Sequence, residues 1–354
     1  AGYCAPPVGT TGPRPVDGGE AISVICETDV VGGSTRRVGF DVAAATTAFS
    51  VVPFSETSTV RPLRLRLPDG TVGADFTTTY GFMDVNPSFI ESAAPVFFPG
   101  APQFASVVAQ GGGRYELEVA STDPGMCYYV LQKSRPGATL SLNIYFVGVE
   151  GLTAATADQH AGFNAMMDVV RRVYRSAAID IDQVRLFDVD SSAASRYAVI
   201  RDFNDLFRIV GLAGDPGPTL DERLSVDVFL INGFAVPQAP GLLGVSLGLP
   251  GVPGLHGVPG SALVFTAEYL DANAAQTGQT MAHEIGHFNG LRHTSEHGGE
   301  SWDPLSDTPQ CSNPDRGATC PDAGNLMFPF SLGRTQETVT SEQATVLRAS
   351  PHVR

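Results

Sequence analysis

The chain has 354 residues, 43% hydrophobic and 17% charged, which places it among globular rather than disordered proteins and gives it length for two domains with separate cores. A formal net charge of −15 argues against nucleic acid or an anionic membrane surface as partner. No uninterrupted apolar run reaches the ~18 residues of a membrane span.

In chain order, the start at Ala1, without a methionine or a charged-then-apolar leader, suggests an exported protein whose signal has been removed. Residues 1–135 predict a β-rich, sandwich-like N-terminal domain, an accessory unit or a pro-domain. Ala21 to Ile25, Leu63 to Leu67 and Tyr115 to Val119 alternate apolar and polar residues between Gly and Pro punctuation. Gln132 to Gly137 reads as a linker. From 136 to 354 the pattern changes to strand at Leu142 to Val147, helix at Thr153 to Ser176, strand at Val184 to Phe187, helix at Ser195 to Val210 and strand at Val226 to Ile231. That alternation predicts a mostly parallel sheet with right-handed crossovers. Leu242 to Gly248 is a candidate sheet edge able to take an extended peptide by strand addition.

The segment from Thr280 to Gly290 is proline-free and predicts a helix beneath that sheet. His283 and His287, four apart, share one face of it. Gly290 tolerates the left-handed backbone that ends a helix, and the chain it turns back brings His293 after three residues. Three imidazoles with one position left for water are the ligand set of catalytic zinc, whereas structural zinc sites close with four ligands, usually cysteine-rich. Glu284, beside the first ligand, is the candidate general base: it would accept a proton from the zinc-bound water and return it to the leaving amine. His160, His256, His297 and His352 lack metal spacing and are taken as surface residues.

His283-Glu284-Ile285-Gly286-His287-Phe288-Asn289-Gly290-Leu291-Arg292-His293 resembles the extended zinc signature of the metzincin metallopeptidases. Asn325-Leu326-Met327-Phe328-Pro329 resembles that clan's Met-turn, with Met327 as an apolar floor beneath the metal. Thr294, the Ser306-Asp307-Thr308-Pro309 stretch, Cys320-Pro321 and a last helix over Thr340 to Arg348 make the chain similar to the pappalysin family within the clan. The resemblance implies an α+β catalytic domain at 136–354: a twisted, mixed but mostly parallel sheet, an active-site helix and an irregular C-terminal subdomain. It also implies a secreted zinc endopeptidase acting on proteins or peptides. Calcium is bound by some relatives, and Asp303, Asp307, Asp315 and Asp322 could supply oxygens, although a solvated acidic loop is the favoured reading of them. Pro329 stands where relatives often carry a tyrosine, and Phe330 to Gly333 lack the acid that some relatives use to select a basic side chain.

Five cysteines in an exported chain imply two disulfides and one odd thiol, and Cys311 and Cys320, close together in an irregular loop, form the favoured pair. The pairing of Cys4, Cys26 and Cys127 stays open, as does the oligomeric state. Two other functions compete. In one the enzyme is latent, with Cys4 or Cys26 of residues 1–135 on the zinc. In the other the β-rich part is a binding or adhesion module beside a degenerate peptidase; an intact Glu284 speaks against that.

Overall fold

The computed structural model describes residues 14–16, 20–27, 35–55, 58–77, 92–122, 126–217 and 219–354. Its first part is antiparallel. A five-stranded sheet has the order β1-β2-β9-β4-β7, from β1 (Arg14–Val16), β2 (Glu20–Glu27), β4 (Ala48–Phe54), β7 (Val96–Phe98) and β9 (Met126–Lys133). A four-stranded sheet has the order β3-β8-β5-β6, from β3 (Thr35–Val42), β5 (Val60–Arg66), β6 (Val72–Asp75) and β8 (Gly113–Ser121). The short helix α1 (Ala105–Val108) precedes β8.

Period-two alternation explains how the two sheets stack. In β3, Val38, Phe40 and Val42 turn inward while Arg37 and Asp41 stay exposed. In β4 and β9 every residue is buried, because alternate side chains enter different cores. Phe49, Val51, Tyr128 and Val130 meet the four-stranded sheet, whereas Val52, Phe54, Tyr129 and Leu131 pack with Leu224, Val252 and Val258 of the second part. Ala48 and Phe97 join the main core of the second part. The five-stranded sheet is thus a middle layer. The expected linker does not exist in that form: Gln132 and Lys133 belong to β9 and are buried, and only residues 134–136 are exposed.

The second part contains β10 (Thr139–Val147), α2 (Ala161–Ser176), β11 (Asp180–Asp188), α3 (Ser191–Tyr197), β12 (Val199–Ile200), α4 (Phe203–Val210), α5 (Leu220–Leu224), β13 (Val226–Ile231), β14 (Gly233–Phe234), β15 (Gly244–Ser246), β16 (Ala262–Thr266), α6 (Ala274–Phe288) and α7 (Ser341–Ala349). Its sheet runs β11-β10-β13-β16-β15, with β15 antiparallel and the rest parallel, a mixed and mostly parallel sheet in an α+β fold. The expected helix from Ser195 to Val210 is instead α3 and α4, separated by β12; Asp202 caps α4 through the Asp205 N–H and forces the restart.

The sheet strands are almost continuously apolar because both faces are covered. Leu142, Ile144, Val228, Leu230 and Phe265 face α2 and α6, while Tyr145, Phe229 and Val264 face α3 and α4. The two lower helices cross closely at Gly278, where a Cβ would stand 2.6 Å from the Met166 carbonyl oxygen.

His352 is buried under this core, against the Phe288 ring, and donates from Nδ1 to the Leu224 carbonyl at 3.1 Å. It is not the surface residue the sequence suggested. Burial, with the nearby charges of His256 and Lys133, pushes its pKa down from 6.5 to about 4. Between those values the unfolded chain takes up a proton that the folded chain refuses, so stability is full above 6.5 and falls with pH. The expected loss is about 3 kcal/mol across the window. Denaturant titrations of wild type and His352→Gln at stepped pH should show the variant losing less by about that amount; parallel profiles would refute it.

Candidate metal centre and cleft

α6 starts at Asn273, whose side chain accepts from the Gln276 N–H, and carries His283, Glu284 and His287 in its last two turns. It ends as a Schellman motif: Gly290 N–H donates to His287 O at 2.9 Å and Leu291 N–H to Gly286 O at 3.0 Å. Gly290 takes φ +98°, a conformation that strains any L side chain. The turn sends His293 back to the helix face. His293 Nε2 lies 3.3 Å from His283 Nε2 and 3.1 Å from His287 Nε2.

The outer nitrogens show why these three atoms converge. His283 Nδ1 is 2.7 Å from the Leu326 carbonyl and His287 Nδ1 is 2.8 Å from the Leu291 carbonyl. Carbonyls only accept, so the Nδ1 atoms carry the hydrogens and the Nε2 lone pairs point at one another. Burial, followed by the neighbouring imidazoles, pushes His283 down to about 3 and His287 well below its ordinary value, which keeps both rings neutral. Facing lone pairs at this separation repel unless a cation sits between them. Three nitrogens each ~2.0–2.1 Å from one tetrahedral zinc lie about 3.3 Å apart, so the residues present fit the ion.

His293 Nδ1 faces a carboxylate, Glu296 Oε2, at 3.1 Å. Glu296 was not foreseen, because nothing in its position three residues after a ligand marks it. A carboxylate behind a ligating imidazole fixes the ring and raises its basicity. Glu296→Ala should therefore weaken metal binding about 10- to 100-fold, read by competition with a chromophoric chelator. Unchanged affinity would remove Glu296 from the site.

Met327 is fully buried, and its Sδ would lie 2.7 Å from a Cβ at Gly286, so the missing side chain there admits the sulfur against the helix. Its carbonyl accepts the Thr294 N–H at 3.0 Å, and its own N–H is held by Asn325 Oδ1 at 2.8 Å. Asn325 is paired amide to amide with Gln343 of α7, both bonds 3.0 Å. Thr340 caps α7 with a capping box. Cys311 and Cys320 are bonded to each other. The Cys311 N–H reaches Ser295 Oγ, and Ser295 and Thr294 hydroxyls both donate to Asp322 Oδ2, which fixes the chain just beyond His293.

The four aspartates do not converge. Asp303 accepts from Leu305 N–H and Thr308 Oγ1, Asp307 from Thr340 Oγ1 and Glu342 N–H, and Asp322 from the two hydroxyls above. Among the described residues no group able to hold a metal contains two of them; Asp322 stands beside Cys311 and Cys320, which are bonded to each other. Cys127 is disulfide-bonded, and Cys26 stands opposite it in the β2–β9 register. Cys4 lies outside the described residues, so latency through it gains no observation.

Glu284 is 7% exposed. Burial pushes its pKa up to about 8, opposed by a hydrogen bond from the Ser246 N–H of β15. Gly244 makes room for it, since a Cβ there would lie 2.8 Å from Glu284 Oε1. β15 is the sheet's outer strand and borders an open cleft of ≈ 1120 Å³ that also takes in the three histidines, Thr280, Phe328, Pro329 and Phe330. No lysine or arginine is among its described lining residues.

A helix-borne histidine pair, a glycine turn to a third histidine, a buried glutamate and a methionine beneath them thus share one site. Residues 254–326 match the peptidase family model described as pregnancy-associated plasma protein-A, the pappalysin group. No curated protein sequence matches the chain. Among solved structures, the crystal structure of metalloproteinase-II from Bacteroides fragilis aligns with a TM-score of 0.35 and 12% identity, over 61% of this chain and 54% of that one. The chain thus spans about half the length of that protein.

Proposed function

We propose that the chain is a secreted, zinc-dependent endopeptidase of proteins or peptides, with His283, His287 and His293 as the ligands and Glu284 as general base. The observation that carries this is the convergence of three Nε2 atoms beside a buried glutamate. Zinc, when bound, supplies Lewis acidity that polarises the scissile carbonyl and brings the pKa of water towards neutrality. Glu284 takes the proton from the attacking water and delivers it to the leaving amine, while the Ser246 N–H keeps the carboxylate aimed. The outer edge of β15 offers main-chain groups to an extended substrate beside the site. Pro329 contributes no hydroxyl, so no side chain at that position assists the oxyanion.

Export is supported by the two bonded positions, the Cys311–Cys320 pair and Cys127. For the organisation, we take 1–135 as an accessory β-unit and 136–354 as the catalytic unit. The contacts of Ala48 and Phe97 with the catalytic core favour an accessory that stays attached over a removable pro-domain. Elemental analysis of the purified chain, with cleavage of an unstructured protein before and after chelation and zinc return, tests the reading. One zinc per chain and chelator-sensitive cleavage are expected. Cleavage that survives metal removal, or a chain that takes up no zinc, would overturn it.

A further inference from the structure

Residues 247–261 join the edge strand β15 to β16, and the loop touches three parts of the molecule. Leu247, Gly248 and Leu249 line the cleft. Gly251 donates its N–H to the Phe288 carbonyl of α6 at 2.8 Å, and a Cβ on it would overlap the Phe288 ring at 2.2 Å. Val252 and Val258 pack on Val52, Phe54, Tyr129 and Leu131 of the five-stranded sheet. Its internal ties lie near its ends: Val252 N–H bonds Gly260 O at 2.9 Å, and Ser261 bonds Val258 through its N–H at 3.0 Å and its hydroxyl, which leaves the stretch around His256 to be held by other parts of the molecule.

His256 supplies an anchor. Its side chain is 6% exposed, with Nδ1 2.6 Å from Oδ2 of the fully buried Asp227 in β13, and Nε2 2.9 Å from the Arg223 carbonyl. The other oxygen of Asp227 accepts the Asn143 amide at 2.9 Å. Both partners of the imidazole are acceptors, so both ring nitrogens carry hydrogen and the ring is an imidazolium. Neither neutral tautomer keeps both contacts; a lone pair would face either the carboxylate or the carbonyl. The groups around the pair are Arg223 on α5, Tyr145 on β10 and, beyond the ring, His352 with Lys133. Burial alone would lower the ring's pKa, but the Asp227 bond and charge outweigh it and leave it raised above 6.5.

We propose that His256 is a positioning residue of the cleft: clamped between Asp227 and Arg223, it latches the 247–261 loop to β13. Through that loop it fixes the outer edge of β15, beside which an extended substrate would lie. The proposal rests on the endopeptidase reading for its kinetic part only. The latch is closed while the ring is charged and loosens as pH rises through its raised pKa.

The test is hydrogen exchange of the 247–261 amides, corrected for intrinsic pH dependence, alongside steady-state cleavage of a peptide, on the zinc-loaded wild type and His256→Gln. Loop exchange in the variant should be faster by about tenfold or more, as for loss of a buried charged hydrogen bond. KM should rise about fivefold with kcat within about twofold and zinc still stoichiometric, the pattern of lost substrate positioning. Equal loop exchange in the two proteins overturns the latch; kcat, zinc and α6 exchange all changing with KM shows general loosening and overturns it too. Should the variant not fold, the wild-type pH series decides: loop protection must fall on the alkaline side, and a flat profile overturns the proposal. A wild type that binds zinc but cleaves no peptide defeats the endopeptidase reading, while loop exchange still judges the latch.

Discussion

Glu284→Gln is expected to lower kcat by about 10²- to 10⁴-fold, the usual contribution of a positioned general base, while the chain keeps its zinc. The amide fills the same space beside Gly244 and can still accept from the Ser246 N–H, but it cannot take a proton from water. None of the three Nδ1 partners is Glu284, so the ligand geometry has no reason to change. The same substitution should stabilise the metal-free chain. The folded carboxyl holds its proton up to about 8, whereas the unfolded one releases it near 4.5. Between those values the unfolded state binds fewer protons, so stability is full below 4.5 and falls as pH rises. At pH 7 the wild type forgoes about 3 kcal/mol that the amide does not. Peptide hydrolysis, metal content and denaturant melts in chelator read all three. Activity lost together with zinc, or no gain in metal-free stability, would contradict this placement of Glu284.

The convergence of the three histidines is legible because its parts are local: two histidines one turn apart, a glycine with the one backbone that turns the chain, and a third histidine three residues on. Partners of these side chains include groups from outside the motif, Leu326 and Ser246. Leu326 O, Leu291 O and the Ser246 N–H are main-chain groups, and main chain has no sequence signature. The mostly parallel sheet was legible from strand and helix alternation, yet Ser195 to Val210 was taken as one helix because the cap at Asp202 is invisible to apolar spacing. His256 and His352 read as surface residues in the sequence because burial of a lone histidine depends on acceptors, Asp227 and Leu224 O, that only the fold brings to it. Gln132 and Lys133, which read as the start of a linker, are the opposite case. The apolar run from Met126 to Leu131 that they continue marks a strand covered on both faces, the sign that the five-stranded sheet lies against the rest.

Lys133 turns that contact into a measurable result. The single lysine of the chain ends β9 with its ammonium buried, donating to the carbonyls of Arg348 at 2.9 Å, Ser350 at 2.8 Å and Val353. Those carbonyls lie in the last turn of α7 and just beyond it, and the helix's first turn faces the Met-turn through Gln343, so one side chain of the first part pins the C-terminal end of the second. Close packing reinforces the pin: a Cβ at Gly137 would stand 2.1 Å from the Val353 oxygen, and the Arg354 N–H bonds Thr139 O at 2.8 Å. Lys133→Met keeps the apolar stem but removes a charged donor from three carbonyls; Arg348 O keeps the Gly137 N–H and Ser350 O the Val353 N–H, so Val353 O is the one stranded and a loss of about 1–3 kcal/mol is expected. A nick at the exposed residues 134–136 should leave both fragments associated and the zinc in place in the wild type, and should release them more readily in the variant. Stability unchanged by Lys133→Met, or fragments of the wild type that part freely and leave an active second half, would restore the first 135 residues to the role of a removable pro-domain.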